Sequence, residues 1–232
     1  MTSYVAVTKD IYGGQRPEEI PAYPLSRAAQ LLHVSPSTLR SWSVGAAKSS
    51  ALFKPAERTP VTLSFSNLVE GFVLASMRRT HHVPMQQVRK ALNFVARELE
   101  VERPLVHAKF RTDGVKLFVE NSGRLLSVSD AGQVVLQKTL EASLSRIEWQ
   151  DDLAARRFPW VREGAHENDP KNVVLDPRLG FGEPVIAGTG IATRVVAGRY
   201  LAGESIVELA KDYRVSAEKI EDAIRCEARE AA

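Results

Sequence analysis

At 232 residues, with 44% hydrophobic and 25% charged side chains, the chain has a folded protein's composition and room for two modest domains, which excludes wholesale disorder. No apolar run approaches the roughly 18 residues of a membrane span; the start MTSYVAVTKDIYGG lacks a secretory pattern, and the single Cys226 excludes an internal disulfide or a cysteine-based zinc site. The net charge of +3 is uneven: the first 150 residues hold 19 basic and 13 acidic side chains and the remainder 12 and 15, so the front half suits phosphate and the end repels it.

Residues 1–22, with Gly13-Gly14, Pro17 and Pro21, read as a flexible arm with one short strand near Tyr4–Val7. From Tyr23 the periodicity sharpens. Ser26 is placed to cap a first short helix through Leu32, and Ser35 followed by Pro36 starts a second. Residues 43–62 read as a loop or small wing, with Lys48, Lys54 and Arg58 against the single acid Glu57. Leu68, Phe72, Ala75 and Arg79 share one helical face, and Val88, Leu92, Val95 and Leu99 another after the break at Val83-Pro84.

After Pro104 the short runs Ala108–Arg111, Lys116–Val119 and Leu125–Val128, punctuated by Asp113-Gly114 and Ser122-Gly123, predict a three-stranded meander. Helical spacing returns through Val134–Trp149, and residues 151–171 read as a linker. Beyond it, Asn172–Leu175 and Pro184–Ile186 predict two strands. Thr193, Ser205 and Ser216 are placed to cap three helices, with Val195, Val196, Tyr200, Leu201, Ile206, Leu209, Ile220 and Ile224 as their core. The expected class is mainly α with small β elements, an α+β protein. A winged helix-turn-helix spans 23–150, and a short-strand, three-helix domain spans 172–232.

Two segments align without a gap, Ala29–Trp42 and Ala210–Ala223, and both read as helix-turn-helix units with His33 or Arg214 where the turn favours glycine. Their second helices differ in chemistry. The first offers Ser35, Ser37, Thr38, Arg40 and Ser41 with no carboxylate, which suits bases and phosphates in a major groove. The second offers Glu218, Glu221 and Asp222 beside Lys219, which phosphate would repel but a basic protein partner would not.

With its Ala-Ala, Val-Ser, Thr-Leu-Arg and Trp positions, Leu25–Trp42 resembles the MerR-like winged helix-turn-helix group, and Leu68–Leu92 resembles that group's second helical pair. The likeness implies that Lys48, Lys54 and Arg58 lie in a wing touching backbone phosphates; the group's Arg-Tyr-Tyr wing run is absent. Asp176-Pro177, Gly182-Glu183-Pro184-Val185-Ile186, Gly188-Thr189 and Ala202-Gly203-Glu204-Ser205 resemble the family known as domain of unknown function 433. Where that family usually has arginine after Gly-Thr, this chain has Gly190, and Arg194 is a possible substitute.

Together the two resemblances are similar to the long form of Vap-type type II antitoxins. They imply a cytoplasmic homodimer that neutralises a PIN-like ribonuclease toxin and represses its own operon by binding operator DNA. Phe181, Arg194, Glu218, Glu221 and Asp222 would meet the toxin. Neither a cofactor nor a metal is implied, no membrane contact is expected, and no catalytic constellation stands out, so enzyme activity is not expected. The alternative is a stand-alone MerR-like regulator whose C-terminal domain dimerises or binds a small ligand. An enzyme without a recognisable motif is a weaker third.

Overall fold

A computed structural model describes residues 12–46, 50–81, 84–126, 130–162 and 169–228. The strand expected near Tyr4–Val7, Lys48 and the end of the third meander run lie outside them. Helices α1 (Leu25–Leu32) and α2 (Pro36–Ser43) meet at His33, which takes the left-handed conformation at φ 53° and ψ 47°, and Val34 N–H donates back to the Ala29 carbonyl at 3.1 Å. Ser35 caps α2 as expected, accepting from Thr38 N–H at 3.2 Å. Ser26 does not cap α1; Pro24 holds that position without a side-chain bond. Strands β1 (Tyr23–Pro24), β2 (Glu57–Arg58) and β3 (Val61–Leu63) form an antiparallel sheet in the order β1-β3-β2, so the wing hairpin is tied to the start of α1.

Helix α3 (Phe65–His81) is the axle of the molecule. Leu68, Val69, Phe72, Val73, Leu74 and Met77 are all buried, so the helix is apolar around its circumference and must be covered on every side. Helix α6 (Asp130–Leu144) and α1 pack directly on it, and α5 (Val115–Leu126) packs against both α6 and α4 (Met85–Glu98) within the same core. The predicted meander is therefore corrected: residues 110–114 form a π-turn that runs straight into α5. Val115, Phe118, Val119 and Ser122 are buried at helical spacing, and this long-range burial overrides the local Asp-Gly and Ser-Gly punctuation.

The predicted linker is also corrected at its start. The helical pattern through Trp149 stops at Leu144, and β4 (Ile147–Gln150) pairs with β5 (Leu153–Arg157) across the turn Asp151-Asp152, both at positive φ. Successive left-handed residues match the twist of a tight hairpin, and aspartate tolerates that conformation. Ala154, Ala155, Phe158 and Val161 beyond the turn are buried.

Past this hairpin the chain joins β6 (Val173–Val174) and β7 (Val185–Ile186), an antiparallel pair, and then α7 (Thr193–Leu201), α8 (Ile206–Tyr213) and α9 (Ala217–Ala228). The capping box at Ser205 and Glu208 is present as predicted, and Ser216 accepts from Lys219 N–H at 3.4 Å. Thr193 is not a cap: Ala192 is, and the Thr193 hydroxyl turns inward to the Pro184 carbonyl at 3.2 Å. Of the eight residues expected in this core, Val195, Tyr200 and Leu201 are exposed. Ile186, Val196, Leu209, Ile220 and Ala223 make a small buried cluster, which is little apolar area for a unit of this length.

The unit gains support by packing onto the helix-turn-helix. Arg157, buried on β5, lies over the Phe72 ring at 4.2 Å, donates to the Leu31 carbonyl of α1 at 3.4 and 3.5 Å, and exchanges two backbone hydrogen bonds with Leu175. Arg146, equally buried, stacks on Trp160 and donates to the carbonyls of Phe158, Pro159, Asp169 and Pro170, closing the path between the hairpin and β6. The Tyr23 hydroxyl donates to the Gly182 carbonyl at 2.8 Å, and burial raises its pKa well above the ordinary phenol range. Arg27 on α1 pairs with Glu183 at 2.8 Å and reaches Glu227 at 3.5 Å.

Gly182 sits at φ 82°, and a Cβ there would lie 2.1 Å from the Tyr23 hydroxyl oxygen. Gly182→Ala is expected to cost about 2–4 kcal/mol through the clash and the unfavourable dihedral. Gly188→Ala, also at positive φ but with open space around it, should cost about 1 kcal/mol. Urea titration of both variants checks the difference.

Candidate functional site

The second helix of the first unit presents a polar, carboxylate-free surface because its apolar residues point the other way: Leu39 and Trp42 are buried under it, while Ser37 and Arg40 are exposed. Ser35, Ser37 and Thr38 form a hydroxyl cluster at its N-terminus, with Ser35 Oγ 3.0 Å from Ser37 Oγ and 2.9 Å from Thr38 Oγ1. Ser41 is partly buried and donates back to the Thr38 carbonyl at 2.8 Å. An exposed helix N-terminus carrying hydroxyls and followed by a cation is well suited to phosphate and base edges.

Two residues that the sequence reading did not single out shape this surface. Arg78, exposed on α3, donates to Thr38 Oγ1 at 3.0 Å and adds a second cation beside the start of α2. Asn67, buried, accepts from Ala56 and Ser64 N–H at 2.9 and 3.2 Å and donates to the Lys54 carbonyl at 2.9 Å. It thereby fixes the base of the wing. Lys54 and Arg58 are both exposed, Arg58 on β2 within the wing hairpin. Nothing in the local pattern marks Asn67, whose role on α3 depends on wing residues as far as Lys54, earlier in the chain.

The C-terminal unit repeats the turn geometry with different chemistry. Arg214 is left-handed at φ 56° and ψ 43°, and Val215 N–H donates to Ala210 at 3.1 Å, the counterparts of His33 and Val34. Its acidic helix, however, is less available than the sequence implies. Asp222 is fully buried; it accepts from Arg162 at 3.0 and 3.1 Å, from Asn172 at 2.8 Å and from Arg225 at 2.8 Å. The expectation that Asp222 faces a partner is thus corrected, because the arginine and asparagine that neutralise it come from elsewhere in the chain. Glu218 pairs with Arg162 at 2.6 Å and Glu221 with Arg225 at 2.8 Å, both with substantial exposure.

Phe181 is 82% exposed at φ 57°, between Gly180 and Gly182, which are also at positive φ. A bulky side chain in that conformation is uncommon and costs on the order of 1 kcal/mol. The loop is held from behind by Asp176, which is buried and accepts from Arg178 N–H at 2.8 Å and from Arg156 at 2.7 Å. Arg194 is exposed in the first turn of α7. Among the described residues no cluster of histidine, cysteine or carboxylate side chains is placed to hold a metal ion, and no helix is long and apolar enough to cross a membrane.

These features define a protein with a DNA-binding helix-turn-helix and a second, smaller unit of another family. Residues 21–92 match the family described as "Putative DNA-binding HTH domain", and residues 173–225 match "Protein of unknown function (DUF433)". The chain is 30% identical over 230 residues to the Mycobacterium tuberculosis protein named "Putative antitoxin VapB45", covering 89% of this chain and 93% of that one. It is 23% identical over 211 residues to "Uncharacterized protein Rv2308" of the same organism, covering 87% and 88%. The crystal structure of Rv2018 from Mycobacterium tuberculosis superposes with a TM-score of 0.67 at 25% identity, covering 88% of this chain and 98% of that one. The chain belongs to this VapB45-like family of antitoxins, in which a helix-turn-helix precedes a DUF433 domain.

The buried carboxylate makes a pH prediction. Burial alone would raise the pKa of Asp222, but hydrogen bonds from Arg162, Asn172 and Arg225 outweigh it and hold the carboxyl below its ordinary value. A depressed folded pKa contributes stability above the unfolded pKa, about 3.9 for aspartate, and that contribution is lost as pH falls through the folded value. Stability should therefore fall steeply below about pH 4, and Asp222→Asn should be less stable at pH 7 with a flatter acid limb. Denaturation midpoints from pH 7 to pH 2.5, on the order of one point per half unit, test this.

Proposed function

We propose that the protein neutralises a PIN-like ribonuclease toxin by direct binding and represses its own operon through a MerR-like use of α2 and the wing. Cytoplasmic residence and a homodimeric state belong to this reading. The observation that carries it is the division of surfaces: the C-terminal unit packs against Tyr23 and Arg27, while Ser37 and Arg40 of α2 remain exposed. One chain can then hold DNA and a protein partner on different sides. Ser35, Ser37, Thr38, Arg40 and Ser41 would read the groove, with Lys48, Lys54 and Arg58 on the backbone. Phe181 would anchor the nuclease, with Arg194, Glu218 and Glu221 at its rim.

The homodimer is supported by the symmetry of operator half-sites that two helix-turn-helix units read together, and by the small core of the C-terminal unit. A segregated charge supports the partner assignment: exposed carboxylates on α9 steer encounter with a basic RNA path and would be repelled by operator phosphate.

On DNA, Arg40→Ala should weaken operator binding by about 1–3 kcal/mol, and Lys54→Ala should lower the salt slope by about one phosphate contact. Salt-titrated mobility shifts on the operon's own upstream region measure both, and unchanged binding in the two variants would remove α2 and the wing from the reading surface.

On the partner side, Phe181→Asn should leave stability within about 0.5 kcal/mol, because asparagine tolerates the left-handed conformation and the ring packs on little. The same substitution should speed dissociation of the cognate PIN-like nuclease and reduce growth rescue on co-expression. Full rescue and unaltered co-purification by Phe181→Asn would remove Phe181 from the interface. Failure of the wild-type chain to rescue would remove the neutralising function.

A further inference from the structure

Helix α7 exposes Arg194, Val195, Gly198, Leu201 and Ala202, residues at intervals of one, three, three and one that fall on one helical face. Val195 is 48% and Leu201 84% exposed. Apolar side chains gathered this way on a stable surface mark a contact. Gly198 lies at the centre of the face. It is not at positive φ, and a Cβ there would meet nothing within 4 Å, so neither a turn nor packing within the chain calls for glycine. Its missing side chain leaves a notch in which a second helix can come close.

The face is symmetric in spacing about Gly198: Val195 and Leu201, both apolar, lie three residues either side, and Arg194 and Ala202 four. That is the pattern an isologous contact requires, since a two-fold axis through residue 198 sets residue 198 + n against 198 − n of the other copy. An antiparallel pair would place Val195 against Leu201 of the second copy twice. It also accounts for Arg194, a cation in a first helical turn, where its own helix dipole disfavours it. In the antiparallel pair Arg194 lies beside the C-terminal end of the second α7, next to that helix's carbonyls and near Glu204, which already pairs with Arg199 of its own chain.

We propose that α7 is the homodimer interface, two copies packing α7 against α7 antiparallel with the crossing at Gly198. The proposal rests on the homodimer reading above and deepens it, and it moves Arg194 from the nuclease rim to the dimer contact. A toxin surface would need the apolar residues but not their mirror order.

The test is made on the full chain in a Cys226→Ser background. Gly198→Cys should form an intermolecular disulfide under mild oxidation, because a cysteine at the axis meets its own copy within disulfide reach; Lys211→Cys, exposed on α8, should not. Val195→Lys and Leu201→Glu should each shift the species seen by light scattering at tens of micromolar, on the order of weak-pair affinities, from dimer to monomer. The double variant should restore the dimer, since lysine then meets glutamate across the axis, and this recovery separates lost contact from lost folding. A wild-type dimer that neither cross-links at residue 198 nor responds to either single substitution overturns this interface and leaves the homodimer standing. A monomeric wild-type chain overturns both. A Leu201→Glu protein that stays dimeric but no longer retains the nuclease gives the face to the toxin and overturns the proposal.

Discussion

The guanidinium of Arg157 is the constraint on which the arrangement turns. A buried cation is costly unless its surroundings compensate for the lost water. Here the compensation is divided among three parts of the chain: the Phe72 ring of the central helix, the carbonyl of Leu31 at the end of α1, and a strand whose backbone is paired to Leu175. The carbonyl end of a helix carries partial negative charge, so the end of α1 is a fitting site for the cation. Moving any one of the three parts leaves the charge poorly solvated. The DNA-reading unit, the helical body and the DUF433 unit are thereby held in one arrangement.

Most of the helix-turn-helix was legible because its signals are local. Ser35-Pro36 starts α2, and the alternation of Leu39 and Trp42 with Arg40 and Ser41 sets its exposed face. Even the aligned turn residues His33 and Arg214 adopt the same left-handed conformation in the structure. The capping box of α8 was legible for the same reason. The failures came where distant packing decides. The glycines at 114 and 123 look like hairpin punctuation, yet both sit in helical turns because the flanking apolar residues pack against α4 and α6. The segment after Asp151-Asp152 looks like linker because its cations have partners about 20 residues away or more: Arg156 meets Asp176 and Arg162 meets Asp222. No window of ordinary length contains both members of such a pair.

The candidate site divides along the same line. Residue types on α2 and the wing were readable from composition, while Arg78 and Asn67 were not, since each acts through a partner beyond its own turn of helix. In the C-terminal unit the family pattern turns out to be largely architectural. Asp176 organises a turn, Gly182 allows the close approach of Tyr23, and the Thr189 hydroxyl closes the loop after β7 by bonding the Ile186 carbonyl at 2.8 Å. Charge pattern alone could not distinguish Asp222, which neutralises an internal arginine, from Glu221 one residue earlier, which stands at the surface.

The reciprocal backbone pairing of Arg157 with Leu175 bears on how such a chain is taken apart. A nick or premature stop between these residues would not release an intact DNA-reading fragment. It would strip β5 of its neighbour, open the cover over Phe72 and loosen the carbonyl end of α1, so the half left behind would lose its own support. Loss of Leu175 therefore compromises the half before it, and a proteolytic event between the hairpin and β6 ends the lifetime of the molecule as a unit rather than converting it into a smaller working protein.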